Sequence, residues 1–101
     1  MKVFMIGDIV GRAGRRAVRE LLPEVKAEEN LDFVIANGEN AAGGFGLTKG
    51  VTEELVDYGI DLLTTGNHTW DNKEIFNFID DNNNIIRPYN YPPQTPGVGI
   101  K

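Results

Sequence analysis

The apolar residues of this chain follow two alternating patterns. Four short, mostly apolar segments predict strands, at residues 2–6, 32–36, 60–64 and 85–86. Between them, apolar residues recur every three or four positions, as on one face of a helix. The order strand, helix, strand, helix, strand, helix, strand predicts an α/β fold with a parallel sheet and right-handed crossovers. The unbroken apolar run of Phe33, Val34 and Ile35 in the second segment also predicts helices on both faces of that sheet.

Local signals predict where the helical segments begin, bend and end. The first helical segment contains Pro23, which we expect to kink or restart the helix. The second begins after Thr48, whose hydroxyl can cap it, and ends at Gly59. The third is expected to be an α-helix capped by Asp71 or Asn72. Its apolar residues are Ile75, Phe76 and Ile79. Residues 97–101 resemble the beginning of a further strand.

Polar residues follow three of the predicted strands. Asp8 comes after the first strand, Glu39 and Asn40 after the second, and Asn67 and His68 after the third. The carboxyl ends of parallel strands meet at one edge of a sheet, so these side chains should lie close together. Carboxylate, amide and imidazole groups suit a divalent cation. A glycine precedes each group, at positions 7, 38 and 66.

Each of these residues also has a structural explanation. Asp8 could cap the first helix, and Glu39 with Asn40 could fasten a glycine-rich turn. His68, the only histidine, could be a hydrogen-bonded structural residue. Trp70 could pack in the core or in a lid rather than stack on a substrate. Their recurrence at three strand ends favours a shared site.

Two glycine patterns do not support a nucleotide phosphate loop. The glycines at positions 7, 11 and 14 lack the close first pair of the dinucleotide fingerprint. Residues 46–50 place threonine before lysine, whereas the phosphate loop requires it after lysine.

Composition and charge restrict the remaining function classes. The 101 residues suffice for one domain over residues 1–101, with 41% hydrophobic and 25% charged residues. Cysteine is absent, so thiolate ligands are excluded, and the apolar runs are too short to span a membrane. We therefore expect a cytoplasmic protein with no membrane partner. A net charge of −5 argues against a general nucleic-acid coat.

Positive charge is nevertheless concentrated on the first helix. Four arginines there share one face, and they are Arg12, Arg15, Arg16 and Arg19. The stripe could be a solvated face, or it could contact a phosphate or a partner.

Three segments resemble a known family: residues 7–12 (Gly-Asp-Ile-Val-Gly-Arg), 36–44 (Ala-Asn-Gly-Glu-Asn-Ala-Ala-Gly-Gly) and 65–71 (Thr-Gly-Asn-His-Thr-Trp-Asp). They closely resemble the YmdB-type branch of the calcineurin-like metallophosphoesterases, and the likeness extends over essentially the whole chain. The resemblance implies the N-terminal half of an α/β/β/α sandwich. It also implies a cytoplasmic phosphodiesterase with two metal ions, iron or manganese, that hydrolyses 2',3'-cyclic nucleotides or related phosphodiesters. A link to RNA stays open.

The resemblance implies a role for each strand-end residue. Asp8 and Asn40 would ligate one metal ion, Glu39 would bridge both, and Asn67 would ligate the second. His68 would be the catalytic residue that protonates the leaving oxygen or stabilises its charge.

The chain departs from the wider superfamily at two places. Val10 stands where a histidine is usual, and Glu39 with Asn40 replaces an aspartate, although both fit the narrower branch. Relatives take further histidines, including a G-H-x-H motif, from later strands, and His68 is alone here. We therefore expect a fragment that is incomplete for catalysis by itself. The alternatives are a noncatalytic half-domain that binds metal or phosphate weakly and self-associates through an exposed sheet edge, and a nucleotide-binding regulatory module based on the arginine stripe.

Overall fold

The computed structural model describes residues 1–43, 46–70 and 73–99, and its centre is a parallel four-stranded sheet. The strands stand in chain order, β1-β2-β3-β4. The elements in sequence are β1 (Val3–Ile6), α1 (Gly11–Glu29), β2 (Phe33–Asn37), α2 (Lys49–Asp57), β3 (Leu62–Thr64), two 3-10 helices (Lys73–Asn77 and Ile79–Asp81) and β4 (Ile85–Ile86). This confirms the predicted α/β class, the four strands and their parallel pairing.

The first two helices begin and end near their predicted limits. Helix α1 runs continuously through Pro23, so the expectation of a restart there is wrong. It ends at Asn30, which adopts the left-handed conformation with φ of 51°. The Thr48 hydroxyl accepts a 3.1 Å hydrogen bond from the Val51 amide, as predicted for a helix cap.

The predicted third α-helix is wrong, because the chain forms two short 3-10 helices there. Phe78 separates them with φ of −137° and ψ of −13°, outside helical geometry. Asparagine and aspartate, which favour turns over helix interiors, dominate the residues from 77 to 84. Of the expected apolar face, Ile75 and Ile79 are buried whereas Phe76 is half exposed. The predicted caps at 71 and 72 lie outside the described residues, as do positions 100 and 101 of the predicted further strand.

The expectation of helices on both sheet faces is also wrong. The buried core combines one face of the sheet with residues from every helix: Val34, Ala36, Leu63 and Ile85 from the strands, and Val18, Leu22, Leu55, Ile75 and Ile79 from the helices. On the opposite face, Val3 is 48% exposed and Met5 is 73% exposed. Right-handed crossovers between strands that stand in chain order put successive helices on the same side. The second face is the one that another sheet would cover in the sandwich that the resemblance implies.

Helix α1 has 19 residues and is amphipathic. In the described part of the chain, no helix combines the length and the apolar character needed to cross a bilayer.

The one-sided core predicts very different costs for truncation on the two faces. Leu63→Ala, which empties a fully buried position, should lower the free energy of unfolding by about 2–5 kcal/mol. Met5→Ala, on the exposed face, should change it by no more than about 1 kcal/mol. Urea unfolding followed by circular dichroism measures both. Equal costs for the two variants would show that the second face is covered in solution.

Candidate metal centre

Backbone hydrogen bonds join the loop after β1 to the loop after β2. The Ile9 amide donates to the Asn37 carbonyl at 3.1 Å, and the Gly11 amide donates to the Asn40 carbonyl at 3.0 Å. Gly11 has φ of 59°, a left-handed conformation that glycine adopts without steric cost. Asp8 therefore lies directly before a segment that two backbone hydrogen bonds join to the loop after β2.

The side chains of Asp8 and Asn40 are in direct contact. The Asn40 amide nitrogen donates to both Asp8 carboxylate oxygens, at 3.1 and 3.0 Å. The amide oxygen of Asn40 is not used in this contact, so it is a candidate ligand beside the carboxylate.

The Glu39 carboxylate lies between the loops after β2 and β3. Its Oε2 accepts a 3.0 Å hydrogen bond from the His68 backbone amide, and its Oε1 accepts one of 3.3 Å from the Asn37 side chain. The Asn37 side-chain oxygen in turn accepts from the Glu39 amide at 3.2 Å. These contacts fix the orientation of the carboxylate without any ligand.

The turn after β3 approaches Glu39 closely because residue 66 is glycine. A Cβ atom added at Gly66 would lie 2.6 Å from Oε1 of Glu39, well inside van der Waals contact. The Gly66 carbonyl accepts hydrogen bonds from the buried Thr69 hydroxyl and, at 3.2 Å, from the Tyr91 hydroxyl. The same turn carries exposed Asn67 and partly buried His68.

The donor set at this edge fits a divalent cation. Asp8 and Glu39 are negatively charged, and within the described ranges neither takes part in an ion pair. Two carboxylates and the amide oxygens of Asn40 and Asn67 are hard ligands of the kind that magnesium and manganese prefer. Among the residues that the structure describes, no three His, Cys, Asp or Glu side chains form a metal-binding group. The predicted ligand set depends instead on its two asparagines.

Three residues near the centre were not predicted as part of it. Asn37 braces Glu39, Tyr91 binds the Gly66 carbonyl, and Arg15 donates to the Ala41 carbonyl directly after Asn40. An asparagine two residues before a turn residue is a recognisable signal for Asn37, whereas the sequence around Tyr91 gives none.

One interpretation of the arginine stripe was a solvated face, and the structure agrees with it for three of the four arginines. Arg12, Arg16 and Arg19 are exposed, and the last two pair with Glu20 at 3.0 and 3.7 Å. The side chain of Arg15 is only 15% exposed.

Trp70 packs as a structural residue. Its ring stacks on Phe76 with centroids 5.2 Å apart, and it lies partly buried against the core.

Comparisons with known proteins agree with the resemblance. The family model described as "YmdB-like protein" matches residues 4–101. A Bacillus subtilis protein named 2',3'-cyclic-nucleotide 2'-phosphodiesterase is 52% identical over 100 residues, which cover 99% of this chain and 38% of that protein.

Two solved structures are also similar to this chain. A hypothetical protein from Thermus thermophilus has a TM-score of 0.90 and 45% identity, and the match covers 98% of this chain and 38% of the Thermus thermophilus chain. A Mycoplasma pneumoniae protein described as a novel phosphatase has a TM-score of 0.91 and 32% identity, and the match covers 98% of this chain and 37% of the Mycoplasma pneumoniae chain. The chain thus spans less than two fifths of each of these three relatives.

Gly66→Ala tests the close approach between the two loops. The added methyl group should push the Glu39 carboxylate away from the His68 amide and cost about 1–3 kcal/mol of unfolding free energy. Gly7→Ala is the matched control, since nothing lies within 4 Å of a Cβ at that strand end, and it should stay within about 0.5 kcal/mol of the wild type. Chemical denaturation measures both. A neutral Gly66→Ala would contradict the expected loss, because it would show that the end of the flexible Glu39 side chain moves aside at little cost.

Proposed function

This chain belongs to the YmdB-like protein family, and we propose that its strand-end residues form part of the metal centre of a metal-dependent phosphodiesterase. The single observation that carries the proposal is the meeting of three strand ends: the Asp8 side chain contacts that of Asn40, and the Glu39 carboxylate accepts from the His68 backbone amide. The substrates we propose are 2',3'-cyclic nucleotides or related phosphodiesters, on the strength of the name of the Bacillus subtilis relative.

The proposed roles follow from the chemistry of each side chain. Asp8 and Asn40 would hold one cation, Glu39 would bridge both, and Asn67 would hold the second. A pair of cations, manganese or iron, supplies water activation and charge neutralisation on the phosphoryl group. His68 holds a proton at a ring nitrogen and delivers it to the leaving oxygen.

The positions of the two carboxylates support this division of roles. The hydrogen bonds from Asn37 and from the His68 amide orient Glu39 before a cation arrives, so little reorganisation accompanies binding. Asp8 is exposed and accepts from a neutral amide, so a cation can approach it without breaking an ion pair.

A second candidate function is a noncatalytic half-domain that self-associates. The observation that favours it is the apolar sheet face, where Val3, Met5 and Phe33 are exposed by 48%, 73% and 37%. A second copy of the chain that covered this face would bury them.

Metal binding tests the assignment of Asp8. Asp8→Asn removes one anionic ligand and should weaken Mn²⁺ binding at least about tenfold, which corresponds to about 1.4 kcal/mol. Asp57→Asn, at an exposed position of helix α2, makes the same change of charge away from the centre, and this variant should bind Mn²⁺ as the wild type does. Isothermal titration with Mn²⁺ measures the affinities. Equal affinities of the wild type and Asp8→Asn would refute the assignment.

Turnover of 2',3'-cyclic AMP with Mn²⁺ tests the role of His68. Any hydrolysis that the wild-type chain shows should be about 10²-fold or more slower in His68→Ala, while the Mn²⁺ affinity of the variant stays within about threefold of the wild type, because the imidazole acts on the leaving oxygen. Retained turnover in His68→Ala would count against the role. A wild-type chain that forms a stable oligomer in light scattering and shows no turnover would favour the half-domain.

A further inference from the structure

Arg15 of helix α1 connects the helix to the turn that carries the proposed ligands. Its Nη1 donates to the Ala41 carbonyl at 2.5 Å, and its side chain is only 15% exposed. Neighbouring Arg16 is 69% exposed and pairs with Glu20 on its own helix. One arginine of the stripe therefore points inward, toward the loop after β2.

A carboxylate from the second helix accompanies the Arg15 guanidinium. Glu54 Oε2 lies 3.2 Å from Arg15 Nε, an ion-pair contact, although that Nε–H is not oriented for a hydrogen bond. The Tyr58 hydroxyl donates to the other Glu54 oxygen at 2.5 Å. This hydrogen bond is the main cause of the raised pKa of Tyr58. The guanidinium is thus held between α2 and the turn.

The carbonyl that Arg15 binds belongs to a tight turn. The Ala41 amide donates to the Gly38 carbonyl at 3.1 Å, so Glu39 and Asn40 lie between the two ends of that hydrogen bond. The Asn40 carbonyl accepts from the Gly11 amide of α1. Helix α1 therefore contacts the turn at two successive carbonyls, through Gly11 and through Arg15.

We propose that Arg15 is a positioning residue for the metal centre, holding the turn so that Glu39 and Asn40 face the Asp8 loop. The inference rests on the proposed metal centre. A charged donor on a carbonyl forms a stronger hydrogen bond than a neutral one, and its planar fork reaches two partners at once. Groups that orient metal ligands typically contribute 10–100-fold to metal affinity.

The test compares Arg15→Met with Arg16→Met, which remove the same charge from adjacent positions of one helix. Arg15→Met should bind Mn²⁺ about tenfold more weakly than the wild type, by isothermal titration at a temperature where it is folded. The Gly11 amide should exchange with solvent faster in Arg15→Met, by hydrogen-exchange NMR, because its acceptor belongs to the loosened turn. Arg16→Met should change neither quantity.

Arg15→Lys replaces Arg15→Met if the methionine variant unfolds. Lysine keeps the charge but cannot contact the Ala41 carbonyl and Glu54 with a planar fork. We therefore expect Arg15→Lys to show the same weaker Mn²⁺ binding and the same faster exchange of the Gly11 amide. A folded Arg15 variant with wild-type Mn²⁺ affinity, beside an Asp8→Asn variant that has lost it, would overturn the positioning role alone. A wild-type chain that binds Mn²⁺ no better than Asp8→Asn would overturn the proposed function and this inference together.

Discussion

Parallel pairing in chain order is the constraint on which the rest of this structure depends. Because β1, β2 and β3 run in the same direction side by side, the residues that leave them meet at one edge. Crossovers between parallel strands are right-handed as a rule, and with a strand order that never reverses this puts the helices on one face of the sheet and leaves the other exposed. The candidate centre and the unpartnered apolar face are two consequences of the same topology.

Much of this fold could be predicted from local pattern. The apolar runs locate the four strands, and Thr48 locates the start of α2, because these signals act between near neighbours in sequence. The covered face could not be inferred in that way. An unbroken apolar run such as Phe33 to Ile35 is compatible with helices or with another sheet on its second face. The 3-10 helices escaped prediction because the periodic apolar residues there stand among asparagines and aspartates.

The candidate site shows a similar division. Asp8, Glu39, Asn40, Asn67 and His68 could be proposed from their places after strands. The ligand roles of the first four and the catalytic role of His68 come from the family resemblance. The supporting contacts are long range: Arg15 reaches Ala41, and Tyr91 reaches Gly66. Such contacts depend on how helix α1 and the loop after β4 pack against the rest of the protein. The spacing of apolar residues along the sequence does not determine that packing. A buried and an exposed arginine on one helix, such as Arg15 and Arg16, cannot be told apart by spacing alone.

The central proposal is that Glu39 would bridge two cations at one edge of the sheet. Electron paramagnetic resonance of the Mn²⁺-loaded chain tests it most directly, with Glu39→Gln beside Glu53→Gln, an exposed glutamate on α2, as the control. The account predicts a spin-coupled manganese pair in the wild type and in Glu53→Gln, and only isolated Mn²⁺ in Glu39→Gln. Isolated Mn²⁺ in the wild type, or a coupled pair that survives in Glu39→Gln, would contradict it.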